Sequence, residues 1–154
     1  MLFNDCRCSS NKRRESYSYA QYGVQSNPPS NTDLPMRVLF QEGDEISLDN
    51  TEILLASGYL YLVDFIFLAT PEADSFMQIT PKINNSLQLL YSFFAPTGSA
   101  SRNASASGSF TIPVTGSNAA LSFNLTYSAA VRNIDITGAI SVTALHKISR
   151  EGCS

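Results

Sequence analysis

Tryptophan is absent, histidine occurs once (His146), and cysteine occurs three times, at Cys6, Cys8 and Cys153, in a chain of 154 residues. A single histidine offers one candidate base for a Ser-His-acid triad and no second imidazole for a metal site, which removes most enzyme classes at the outset. Charge is equally scarce. Charged residues make up 15% of the chain, and between Asp74 and Arg132 only Lys82 and Arg102 carry charge. A surface that poor in charge meets other protein. Ten Lys and Arg against thirteen Asp and Glu give a net charge of −3, which argues against a phosphate-binding surface and against nucleic acid as a partner. Long hydrophobic runs are missing as well. The longest, Tyr59 to Ala69, is broken by Asp64 and is about half of the roughly 20 residues a membrane helix requires. It reads as a buried strand, and no membrane partner is expected. No apolar run follows Leu2 and Phe3 to form a secretory leader, so classical secretion is not expected either.

The length suits one domain with an appendage. Residues 1–36 are rich in Ser, Asn, Tyr and Pro, show no helical apolar stripe, and read as an extended N-terminal tail stiffened near its end by Pro28, Pro29 and Pro35. Residues 37–149 read as the folded domain and 150–154 as a short C-terminal tail.

Within the domain, short runs of strand formers alternate with turn residues, predicting about eight strands: Val38–Gln41, Ile53–Ala56, Tyr59–Thr70, Phe76–Ile83, Leu87–Ala95, Ala104–Val114, Ala119–Tyr127 and Ile134–Ile148. Leu121, Phe123, Leu125 and Tyr127 against Ser122, Asn124, Thr126 and Ser128 show the period of two most clearly. Turn residues at Pro71–Asp74, Asn84–Asn85, Pro96–Gly98 and Gly116–Asn118 are spaced for an antiparallel sandwich. The fold class is therefore all-β, a two-sheet jelly roll. In Tyr59–Ala69 both parities are apolar, although a sandwich strand normally wets one face. The second face needs a cover, either a neighbouring subunit or the tail or first strand folded over it.

Four ordered motifs are similar to a known family: Leu54-Leu55-Ala56-Ser57-Gly58-Tyr59-Leu60-Tyr61-Leu62-Val63, Ile79-Thr80-Pro81-Lys82-Ile83-Asn84, Gly108-Ser109-Phe110-Thr111-Ile112-Pro113-Val114 and Ile136-Thr137-Gly138-Ala139-Ile140. Together they resemble the C-terminal domain of the collagen-like exosporium glycoprotein of spore-forming bacteria, within the tumour necrosis factor (TNF) and complement globular-head superfamily. The resemblance implies a TNF-like jelly roll that forms a homotrimer, with Tyr59, Tyr61, Phe65, Ala104, Ala106, Gly108 and Phe110 at the subunit interface. It also implies termini on one side of the domain. The chain lacks the Gly-x-y stem of that glycoprotein. A short tail with cysteines on a trimeric jelly roll instead resembles, in layout, the subunits of thin endospore appendages. That layout implies a spore-surface fibre in which the tail docks into the next trimer, with an exosporium anchor and a collagen-like tip protein as further partners.

Leu2, Phe3, Tyr17, Tyr19 and Tyr22 are the docking candidates in the tail, since Tyr17 and Tyr19 alternate with Ser16 and Ser18 as in an edge-adding strand. Cys6 and Cys8 are badly placed to bridge each other. A bridge from Cys6 or Cys8 to Cys153 of the same or an adjacent subunit is feasible, and the three are the candidates for inter-subunit disulfides. The serine run Ser99 to Ser109 has only His146 as a base, and Asp44, Glu45, Asp49 and Glu52 lack an ordered calcium loop. No catalytic residue, metal or cofactor is expected. The alternative function is a trimeric TNF-like or lectin-like head that recognises a receptor or glycan.

Overall fold

The computed structural model describes residues 18–128 and 132–148. Twelve strands are present among them: β1 Tyr19–Ser26, β2 Thr32–Asp33, β3 Arg37–Glu42, β4 Ile46–Asp49, β5 Glu52–Leu55, β6 Tyr59–Ala69, β7 Phe76–Ile83, β8 Ser86–Leu87, β9 Phe93–Pro96, β10 Ala104–Val114, β11 Ala119–Tyr127 and β12 Ile136–Lys147. All pair antiparallel. Sheet I runs β10-β6-β12-β1-β3; sheet II runs β4-β5-β11-β7-β8, with β2 on β11 and β9 on β7. The expected two-sheet jelly roll is the fold. The chain reverses where left-handed backbone is required, at Gly43, Gly58 and Gly116 and across the Asn84–Asn85 pair; the turns at Asn84–Asn85 and Gly116 are among those the turn residues predicted.

Alternation decides what the sheets bury. Ala20, Tyr22 and Val24 of β1, Tyr61, Val63, Phe65 and Phe67 of β6, and Leu121, Phe123 and Leu125 of β11 point between the sheets. Phe65, Phe67, Phe110 and Phe123 meet there with ring centroids 5.4–6.4 Å apart. These aromatic rings fill the roughly 10 Å gap between the layers.

Three expectations are corrected. The tail was expected to extend to residue 36, but β1 lies between β12 and β3, with Tyr19 opposite Thr143 and Glu42. Its polar composition conceals a period of two, because only Ala20, Tyr22 and Val24 face inward. Residues 27–36 then cross to sheet II: the Tyr127 hydroxyl donates to the Pro28 carbonyl at 2.8 Å, and the Leu34 amide donates to Phe123 at 2.9 Å. Tyr22 is fully buried in its own domain, so neither it nor Tyr19 lies on a docking tail.

The second correction concerns the interface residues. Tyr61, Phe65, Ala104, Ala106 and Phe110 are buried between the sheets rather than on the outward face. Gly108 is small because the Phe65 ring lies over it, 2.7 Å from where a Cβ would stand. Tyr59 is partly buried at the start of β6. Third, the strand expected over Leu87–Ala95 is interrupted by a short 3-10 turn, Leu89–Tyr91. Leu2, Phe3, Cys6, Cys8, Tyr17 and Cys153 lie outside the described residues.

Candidate assembly surface

The outward face of sheet I carries the even side chains of β6. Ile66 and Leu68 are 61% and 50% exposed, and Leu60 and Leu62 are half-buried. Their cross-strand neighbours are short: Leu62 lies between Thr111 and Thr143, Ile66 between Ser107 and Ala139, and Leu68 between Ser105 and Thr137. The aliphatic stripe therefore stands above its flanks. Asp64 interrupts it, between Ser109 and Ser141, beside a shallow depression of about 200 Å³ lined by Gln21, Asp64, Ile66, Ala139 and Ser141. β1 joins sheet I edge to edge, so among the described residues this face is left uncovered.

A second apolar surface occupies the edge where β9 meets β10. Leu89, Leu90, Phe93 and Phe94 are exposed there, Leu90 by 93%. Phe94 stacks on Phe76 at 5.1 Å, and Tyr91 stacks on Phe110 at 4.4 Å, which anchors the turn while leaving the leucines outside. Sequence reasoning missed this surface because the Leu87–Ala95 run reads as one strand. The side-by-side Leu89 and Leu90, which one strand would place on opposite faces, are the signal that could have found it.

The two ends of the described residues, Ser18 and Ile148, lie at one end of the sandwich. The Ala144 amide donates to the Ser18 carbonyl, and the Ile148 amide to Gly58, each at 2.8 Å. Residues 1–17 and 149–154 are thus attached at one end of the sandwich, as the resemblance implied. Glu45 fixes that end. It accepts hydrogen bonds from the Ser18 hydroxyl, from the Asp44 amide at 3.2 Å and from the Tyr59 hydroxyl at 3.4 Å. The Ser18 bond, with smaller help from backbone amides and Tyr59, holds the Glu45 carboxyl below the usual range. Nearby, Tyr61 donates to the Ala56 carbonyl at 2.6 Å, and burial raises its phenol.

Other candidates do not converge. Asp49 pairs with Glu52 at one end of the β4–β5 hairpin while Glu45 is held at the other, so the four acids form no common site. His146 lies opposite Leu60 and Ser105 opposite Leu68, about 26 Å apart along β6. Lys82 pairs with Asp33 at 2.9 Å and Asn124 donates to Asp33 at 3.1 Å, which joins β7 and β11 to the crossing segment.

The sheet order defines an antiparallel two-sheet jelly roll whose fold is TNF-like. Similar solved structures include murine APRIL (12% identity, 84% of this chain and 99% of that chain covered, TM-score 0.53) and Eiger TNF from S. frugiperda (8%, 90% and 98%, 0.56). The PRD1 vertex protein P5 is also similar (17%, 86% and 97%, 0.56). At these identities the likeness concerns the fold. No protein-family model and no curated protein matches the chain in sequence.

Proposed function

We propose that the chain is a non-enzymatic structural subunit, a homotrimeric jelly roll whose residues 1–17 link trimers into a fibre on the surface of a bacterial spore. The observation that carries the trimer is the pair of separate apolar surfaces, the β6 stripe and the Leu89–Phe94 edge. Two different patches on one chain favour a contact in which the edge of one copy packs on the face of the next, and such a contact closes into a trimer where each step turns by a third of a revolution. Attachment of both termini at one end of the sandwich supports the connector. It also supports covalent cross-links between subunits through Cys6, Cys8 and Cys153. The motif resemblance to the exosporium glycoprotein supports the spore surface, and with it an anchor protein and a collagen-like tip protein as further partners.

The test compares the full chain with a chain starting at Ser18, which keeps every described strand, by light scattering and negative-stain electron microscopy. Fibres from the first and discrete trimers from the second are expected. Discrete trimers from both would overturn the fibre and leave the receptor- or glycan-binding head. Monomers from both would overturn the trimer.

A further inference from the structure

β3 ends sheet I. β1 pairs with one side of it, and among the described residues no strand pairs with the other. All of Arg37–Glu42 is exposed, with Val38, Leu39 and Phe40 about half exposed at its centre. Sheet edges are commonly protected by lysine, proline or a cover; β3 contains neither residue. Apart from Arg37 at the start of the strand, the charge around this edge is acidic. Glu42 ends the strand and Asp44 follows it, Asp49 and Glu52 close the adjacent hairpin, and no Lys or Arg occurs between Arg37 and Lys82.

Residues 1–17 have the opposite sign, with Arg7, Lys12, Arg13 and Arg14 against Asp5 and Glu15. They are attached beside this edge, because Tyr19 pairs with Glu42. They also supply Leu2 and Phe3, and extended they would reach about 55 Å. Reaching its own β3 directly, the segment would run parallel to that strand in a sandwich where every pair is antiparallel. Antiparallel pairing within one chain would spend about six residues on the return path along β3. A segment from another copy carries neither restriction.

We infer that the free edge of β3 receives residues 1–17 of a neighbouring copy as an added strand, with its basic residues facing the Glu42–Glu52 acids. This inference rests on the connector role proposed above. The test mixes two full-length species, each with Cys153→Ser. One carries Val38→Cys with Cys6→Ser and Cys8→Ser; the other retains Cys6 and Cys8. Only a bond between chains can form between the introduced cysteine and Cys6 or Cys8. The expected result is a disulfide-linked heterodimer on a non-reducing gel, told from linked pairs of one species by a size tag on the second and absent when either species is oxidised alone. Reversing Glu42→Lys with Asp44→Lys, or Lys12→Glu with Arg13→Glu and Arg14→Glu, is expected to cut fibre formation about tenfold, and combining the two sets to restore it. Fibres that form without the cross-link and ignore both reversals would overturn the β3 site and leave the connector standing. A parent chain that stops at trimers would overturn the connector itself.

Discussion

Gly108 and Gly138 both face the core, yet a methyl group meets different obstacles at the two positions. At Gly138 an added Cβ would overlap the Ile66 carbonyl oxygen and the Phe67 ring; at Gly108 it meets only the Phe65 ring. A ring can tilt, whereas the Ile66 backbone is held in the β6–β12 ladder. Gly108→Ala is therefore expected to cost about 1–3 kcal/mol, the usual range for overpacking. Gly138→Ala should cost more, roughly 4 kcal/mol or beyond. Gly98→Ala, with open space around it, should stay within about 0.5 kcal/mol. Urea denaturation of the three variants checks the order, and a Gly108→Ala as mild as Gly98→Ala would remove the role assigned to Phe65. The same contact explains why parity alone did not reveal the inward face. Ala104, Ala106 and Gly108 leave room equally well for a neighbouring subunit or for an aromatic ring, and the deciding fact, Phe65 and Phe67 on the facing strand, is tertiary.

At the scale of elements, β6 and β11 were legible because their inward side chains are long and apolar. β1 was not, because Ser, Gln and Gly obscure its Ala20-Tyr22-Val24 alternation. Its start is held by the Ser18–Glu45 contact, which gives a pH-dependent consequence. The Glu45 carboxyl is held below its ordinary value of 4.5, first by the Ser18 hydroxyl. A depressed folded value means that the ionised contact stabilises the fold above the unfolded pKa and is lost as pH falls through the folded one. Ser18→Ala removes the largest cause. The melting temperature of the variant should lie below that of the parent at pH 7, and the gap should close as pH drops below 4.5. A gap independent of pH would mean that the hydroxyl acts by packing or through its bond from the Glu45 amide alone.

For the whole molecule, the jelly roll was legible from turn spacing and alternation, while its surfaces were not, since exposure depends on which strands meet at an edge. The two apolar surfaces nevertheless make a symmetry prediction. If the trimer joins the Leu89–Phe94 edge of one copy to the β6 face of the next, each junction needs one of each, so Ile66→Asp and Leu90→Asp should each abolish trimers by themselves. Their mixture is more informative. An Ile66→Asp chain keeps its edge and a Leu90→Asp chain keeps its face, so one sound junction can form between them and no second one can follow. Mixing should therefore yield a one-to-one heterodimer in light scattering from two species that are monomeric alone. A face-to-face contact of the β6 stripes would behave otherwise, because a self-complementary contact uses the same patch on both partners. Leu90→Asp would then assemble as the parent does, and that result would exclude the edge-on-face ring.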